Sequence, residues 1–174
     1  MEKIRIRLVR PEEKHREAAM AFRQEFFTHG ETVIDGSELL DRTEGYDAWL
    51  ESIRRNACPD TVSPDWVLTD TYFAVDEDGQ IVGIIDLRHE LNDFLRDLGH
   101  CGYSVRPSAR RKGYGAEMLR LLKQEARKAG MTHLQMSVMP DNTPSVKIIR
   151  GAGGVWQRSF VFAGQTADIY TIDL

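Results

Sequence analysis

Apolar residues recur along this chain in two periods, and the switches between them mark its elements. Ile4, Ile6 and Leu8 alternate with charged residues, predicting a half-buried strand over 3–9 that ends at Pro11. Pro11-Glu12-Glu13 opens a helix, with proline near the first position and acids at the positive end of the dipole. Ala18, Ala19, Phe22, Phe26 and Phe27 then give it an apolar face up to Gly30. Residues 31–44 are polar and without clear period. Tyr46, Trp49, Leu50 and Ile53 return to helical spacing, so a second helix covers 45–56 before Pro59 and Pro64 break the chain. From Trp66 the period becomes two: Trp66-Val67-Leu68 with 71–75 forms a strand, Asp76 to Gly79 a turn, and 80–88 the return strand of a hairpin.

Residues 91–98 read as an irregular loop or one helical turn, and 100–105 as a third strand stopped by Pro107. Met118, Leu119, Leu122 and Ala126 form the apolar side of a long helix over 113–129, closed by Gly130. A short buried strand covers 134–138, and a helix runs from Thr143-Pro144-Ser145 through Ile149. A final hairpin pairs 155–162 with 168–172 across Ala163-Gly164-Gln165. The order is β-α-α-β-β-β-α-β-α-β-β, with strand, helix and strand over 103–138 implying a parallel crossover in a mostly antiparallel sheet. With 174 residues and neither a linker nor a repeat, the expectation is a single domain over 1–174.

Composition narrows the function. At 41% apolar and 29% charged residues the chain has the make-up of a globular protein. The alternating N-terminus lacks the apolar core of a signal peptide, and no apolar run reaches eighteen residues, so the expected setting is cytoplasmic, away from membranes. Cys58 and Cys101 form no CxxC unit, which fits neither a disulfide framework nor a zinc site; no metal is expected. A net charge of −4 argues against a nucleic-acid partner. Residues 106–130 nevertheless hold eight bases against two acids, a local charge of +6.

That basic stretch contains the chemistry. In Tyr103-Ser104-Val105-Arg106-Pro107-Ser108-Ala109-Arg110-Arg111-Lys112-Gly113-Tyr114-Gly115 a strand enters a basic, glycine-bearing loop that opens a long helix. Free backbone N–H groups and the positive helix end then converge on one spot, a cradle for phosphate. The P-loop spacing is absent, and Met118 stands where a dinucleotide fingerprint needs its third glycine, which leaves a nucleotide-binding regulator only a third reading.

Arg110-x-x-Gly113-x-Gly115, with a strand before and a helix after, resembles the pyrophosphate loop of the GNAT superfamily of N-acetyltransferases. The resemblance extends to the element order and to Asn142-x-x-Ser145-x-Lys147-x-Ile149 ahead of the Gly153-Gly154 pair. More narrowly, Ile85 to Asn92 and Gly99 to Pro107 look like a bacterial branch of predicted acetyltransferases, which names no substrate. The resemblance implies the GNAT fold, an α/β architecture of about seven strands and four helices, and acetyl-CoA as cosubstrate. It implies pyrophosphate binding by Arg110, Arg111, Lys112, Gly113, Tyr114 and Gly115, and pantetheine binding by Tyr103, Ser104, Val105 and Asn142. It also implies acetyl transfer to a primary amine of a small molecule or peptide by direct attack in a ternary complex, with a strand N–H near Val105 polarising the carbonyl, and it leaves room for a homodimer.

For the proton acceptor, His100 is the first candidate and His89 the second, because histidine titrates nearest neutrality; Glu90 and Asp86 lie on or beside the same strands. The family's usual acidic tyrosine falls at Ile149, so Ser145, water, Tyr103 or Tyr114 would protonate the departing thiolate. That departure supports an alternative, a catalytically weak acyl-CoA-binding or sensing module. Glu25, Glu31, Asp35, Glu38, Asp41, Glu44 and Asp47 make a cationic acceptor plausible, although most are expected to be solvent-facing charge.

Overall fold

The computed structural model describes residues 3–174, and in it seven strands and four helices follow the expected order. They are β1 (Ile6–Val9), α1 (Arg16–Thr28), α2 (Tyr46–Asn56), β2 (Thr69–Asp76), β3 (Ile81–Arg88), β4 (Tyr103–Val105), α3 (Tyr114–Lys128), β5 (His133–Val138), α4 (Thr143–Gly151), β6 (Val155–Phe162) and β7 (Gln165–Asp173). The turns have local causes. Asp76 Oδ1 accepts the N–H groups of Asp78 and Gln80 at 3.0 and 2.9 Å, closing the β2–β3 hairpin around Gly79. Ala163 and Gly164 both take positive φ, 49° and 77°, the sign pattern of a two-residue hairpin turn whose twist suits its strands.

The strands divide into two antiparallel sheets, β1-β2-β3-β4 and β5-β7-β6. This corrects the expected parallel crossover: α3 does connect β4 to β5, but among the described residues those strands share no ladder. The cause lies just before β4. The chain at 99–100 touches β5 through a bridge between Gly99 and Met136 and a bond from His100 N–H to the Gln135 carbonyl at 2.8 Å. Gly102 N–H then turns to the Asp86 carboxylate at 2.6 Å, so the ladder to β3 becomes regular only at Tyr103 and the two strands splay. The expected strand over 100–105 shortens accordingly. Residues 66–68 lie outside β2, as Trp66 turns its ring under the Arg88 guanidinium, 6.0 Å away.

Helices cover both faces of the first sheet, which explains why β2 and β3 read as nearly continuous apolar runs. Phe73, Val75, Ile81 and Ile84 pack with Phe22, Phe26, Trp49 and Leu50 of α1 and α2. Tyr72, Ala74, Val82, Ile85 and Leu87 pack with Met118, Leu119 and Leu122 of α3. Each fully buried phenylalanine or leucine here contributes about 2 kcal/mol by leaving water, and Phe22→Ala would cost about 3–5 kcal/mol. At Gly83 an added Cβ would lie 2.6 Å from Met118 Sδ, so this glycine lets the Met118 side chain of α3 rest close on β3.

Candidate active site

Where β4 and β5 part, a cleft of about 700 Å³ opens, floored by Cys101, Gly102 and Tyr103 on one side and Met136 to Met139 on the other. In an antiparallel ladder alternate residues face the partner strand. Gly102 O accepts from Asp86 N–H and Arg106 N–H donates to Val82 O, so the intervening main-chain groups of Tyr103 and Val105 face outward. Arg110 Nε donates to the Val105 carbonyl at 3.1 Å, which leaves the Val105 N–H toward the opening.

Beyond β4 a 3-10 turn, Pro107–Ala109, leads into the glycine-bearing loop and α3. The N-terminal N–H groups of a helix have no intrahelical partner. Here the N-cap is Gly113, which has no side chain to cap them, and among the described residues the amides of Arg111, Lys112, Gly113, Tyr114 and Gly115 donate to no protein acceptor. Arg111 (φ 63°) and Gly113 (φ 87°) are left-handed, a geometry that turns successive N–H groups to one side. Gly115 closes the rear of the loop: a Cβ there would lie 2.8 Å from Ile148 Cδ1 of α4 and 3.5 Å from the Tyr103 ring. The exposed Arg111 and Lys112 side chains form no ion pair among the described residues.

Two carboxylates that the sequence suggested for an acceptor site instead brace this loop. Glu25 of α1 accepts from Ser108 N–H at 2.9 Å and from Arg106 Nε at 3.1 Å. Partial burial opposes its ionisation, but these bonds outweigh burial and hold the carboxyl below its usual range. Glu31 accepts both terminal nitrogens of Arg110, at 2.9 and 2.8 Å, and the guanidinium holds its carboxyl low as well. Arg110 is thus set in place by Glu31 and by Phe26, whose ring centre lies 5.7 Å away.

Across the cleft, Asn142 caps α4 by accepting the Ser145 N–H at 3.4 Å. Ser145 Oγ accepts the Tyr103 hydroxyl at 2.9 Å, and all three residues line the cleft. Burial pushes the Tyr103 phenol up to about 12 against the pull of the Ser145 bond, so it carries its proton at neutral pH. Ile149 is 1% exposed and belongs to the core.

The two histidines stand elsewhere. His100 is buried; its Nδ1 accepts the Gln135 N–H at 2.9 Å while its own N–H holds the Gln135 carbonyl, and it does not line the cleft. Burial, His133 and Arg88 lower its pKa to about 4, so the ring is neutral and occupied in tying the chain to β5. His89 Nε2 meets the Asp70 carboxylate at 2.6 Å, outside the cleft, and Asp70 also pairs with Arg10 at 2.8 Å. Among the described residues no group of three histidine, cysteine or acidic side chains could hold a metal ion, and no helix is long and apolar enough to cross a membrane.

The inner end of the cleft holds a buried charge cluster that the sequence only half disclosed. Arg88 pairs with the fully buried Asp86 at 3.1 Å and donates to the Gly99 carbonyl at 2.9 Å. Its Nε, itself without a hydrogen-bond partner, lies 3.9 Å from Glu38, whose side chain is 10% exposed. Burial and the adjoining Asp86 carboxylate push Glu38 well above the usual carboxylate range, against the pull of Arg88 and Trp66. Glu38 and Leu39 take positive φ, 50° and 70°, and the loop carrying them is pressed against β4. Ser104 Oγ donates to the Asp35 carbonyl at 2.9 Å, and a Cβ on Gly36 would sit 2.2 Å from the Gly102 carbonyl oxygen.

Comparison with known proteins agrees with this geometry. The sequence profile described as the acetyltransferase (GNAT) family matches residues 39–153. No curated protein matches the chain. Among solved structures it is similar to Mycobacterium smegmatis RimJ in complex with CoA-disulfide, at 16% identity over 97% of this chain and 81% of that one, with a TM-score of 0.74. It is similar to yncA from Salmonella typhimurium, solved with its cofactor acetyl-CoA, at 17% identity over 97% and 94%, TM-score 0.65. A GCN5-related N-acetyltransferase from Kribbella flavida aligns at 20% identity over 97% and 98%, TM-score 0.67. At such identities the likeness is one of fold.

Proposed function

The chain belongs to the acetyltransferase (GNAT) family, whose cosubstrate is acetyl-CoA, and on that premise we propose that it transfers the acetyl group to a primary amine of a small molecule or peptide by direct attack in a ternary complex. The observation that carries this reading is the row of unpartnered amides from Arg111 to Gly115 at the open end of α3, beside glycines that admit close approach. Five main-chain donors, the helix dipole and the exposed Arg111 and Lys112 suit a diphosphate. Arg110, fixed by Glu31, shapes the loop and adds its field.

From there the outward main-chain groups of Tyr103 and Val105 run along the cleft and are available to a pantetheine arm, with Ser104 between them and Asn142 opposite. An outward strand N–H polarises the thioester carbonyl, where charge develops during attack. The Tyr103 hydroxyl, bonded to Ser145 Oγ on the cleft wall, supplies the proton the departing thiolate needs, a task that Ile149 cannot perform. The buried neutral His100 keeps β5 in place; the proton leaving the amine needs another acceptor.

Calorimetric titration of CoA into the wild type and two variants tests the loop. Gly113→Asn and Gly113→Asp add the same bulk at a left-handed position that both residues tolerate, and both displace the flexible end of Ile4, whose Cδ1 lies 2.4 Å from the added Cβ. They differ in one negative charge. Gly113→Asp should bind at least about tenfold more weakly than Gly113→Asn, about 1.4 kcal/mol of repulsion. Equal affinities would remove the phosphate cradle and the reading with it. Release of free thiol from acetyl-CoA with a panel of amines separates turnover from a module that only binds.

A further inference from the structure

Around the inner cleft the exposed surface is unusually apolar. Of the seven large apolar side chains exposed among the described residues, four line this one opening: Val33 (56% exposed), Leu39 (63%), Phe94 (62%) and Phe162 (49%). They come from the α1–α2 loop, the segment before β4, and β6. Below them lie two polar side chains, the second without a hydrogen-bond partner. One is the Glu38 carboxylate, nine-tenths buried and 3.9 Å from Arg88 Nε. The other is the Ser37 hydroxyl, in a residue 1% exposed that lines the same cavity. A buried hydroxyl left unpaired is destabilising, and an N–H donor from a ligand would relieve it.

With Glu38 ionised, the charges in the cluster do not balance. Asp86 and Glu38 face a single guanidinium, and Arg88 is already committed to Asp86 and to the Gly99 carbonyl. A cation entering at Glu38 supplies the missing positive charge. A carboxylate entering with it would find only the exposed Arg42 beyond the committed Arg88 among the cations of the lining.

We propose that the acceptor is a monoamine carried on an apolar, preferably aromatic, body, with its nitrogen on Glu38 and Ser37 and its body against Leu39, Phe94 and Phe162, and that Glu38 takes the proton the amine must lose. The proposal rests on the acetyl-transfer reading above. With the ammonium bound against the ionised Glu38 carboxylate, one proton passes from nitrogen to that carboxylate, leaving a neutral amine and a neutral carboxyl. The nitrogen lone pair then forms a bond to the thioester carbon, and the carbon–sulfur bond breaks with its electron pair on sulfur. The Tyr103 hydroxyl protonates that sulfur and is reprotonated by the second proton leaving nitrogen, giving an amide and a free thiol, and Glu38 returns its proton to water.

The test compares 2-phenylethylamine, L-phenylalanine and spermidine as acceptors by thiol release. It also titrates 2-phenylethylamine into the enzyme saturated with CoA, a complex that cannot react. Phenylethylamine should exceed both other amines at least tenfold in kcat/KM. Glu38→Gln, which keeps the volume, should lower its kcat/KM at least a hundredfold and weaken its binding to the CoA complex at least tenfold, with CoA affinity unchanged. Phe94→Ala, on the exposed rim, should raise KM for phenylethylamine several-fold with kcat preserved, and should leave spermidine unaffected. Preference for spermidine or phenylalanine overturns the proposal, as does a Glu38→Gln enzyme with wild-type kcat/KM or a Phe94→Ala enzyme with wild-type KM. CoA binding with phenylethylamine ignored refutes this inference alone, whereas failure of the wild type to bind CoA refutes the transfer reading beneath it.

Discussion

Gly36 offers a direct test of how the α1–α2 loop is held over the cleft. Two glycines with the same backbone requirement serve as perturbation and control: Gly36 at φ 75° and Gly30 at φ 85°. Alanine at either position adopts a left-handed conformation at a cost of about 1 kcal/mol. At Gly30 the new methyl meets nothing within 4 Å. At Gly36 it lies 2.2 Å from the Gly102 carbonyl oxygen and 2.8 Å from the Tyr103 nitrogen, main-chain atoms held in the sheet that cannot rotate away. Forcing a methylene into such contact adds about 1–3 kcal/mol, so Gly36→Ala should lose about 3 kcal/mol in all. For a chain of this length each kcal/mol moves the melting temperature by about 2–4 °C. Thermal and urea unfolding should therefore place Gly30→Ala about 3 °C below wild type and Gly36→Ala about 6–12 °C below it. Equal losses in the two variants would show that the loop does not press on β4, and the position assigned to Glu38 would fall with that contact.

Acid sensitivity should trace to His100. Its folded pKa, about 4, lies below the ordinary value of 6.5, so between those pH values the unfolded chain binds a proton that the folded protein refuses. Stability from this group is complete above pH 6.5 and declines by about 3 kcal/mol as pH falls through 4. His100→Asn, whose amide oxygen can accept the Gln135 N–H in place of Nδ1, should flatten that decline in urea midpoints measured from pH 7 to 4, and should keep thiol release within about threefold. An unchanged slope would contradict the burial argument, and a hundredfold loss of activity would restore His100 as the proton acceptor. The thiols should separate cleanly with Ellman's reagent. Cys101 is 4% exposed and burial pushes its thiol up, whereas Cys58 is partly exposed, so the native protein should show one reactive thiol and the denatured protein two.

The parts of this molecule that a reader of the sequence can find are those built from contiguous residues. The loop from Arg106 to Gly115 is one stretch between a strand and a helix, and its glycines, its charge and its helix start all act over a few positions. Asn142 and Ser145 are legible for the same reason, as the cap and first turn of α4. The division of the sheet is not legible, because it depends on where Gly99 and His100 touch β5 and where Gly102 turns to Asp86. The charge cluster is similarly dispersed: Glu38 comes from a stretch without period, Asp86 and Arg88 from a strand whose alternation says only that two of its residues are polar. His100 misleads because the sequence shows its residue type and not its bond to Gln135. Glu25 and Glu31 look like a helix's surface charge, and their partners Arg106, Ser108 and Arg110 lie some eighty positions along the chain.

The split between the two sheets assigns different jobs to different parts of the chain. The first sheet and α3 carry the loop of unpartnered amides, and the rim proposed to meet an incoming amine is supplied by the α1–α2 loop, the segment before β4, and the tip of β6. Exchanging Leu39, Phe94 or Phe162 would leave the N-terminal turn of α3 and its amides untouched. On the proposed reading, a lineage built on this scaffold retunes what it acetylates by changing side chains already in contact with water, at little risk to folding, while the grip on the acyl carrier stays the same.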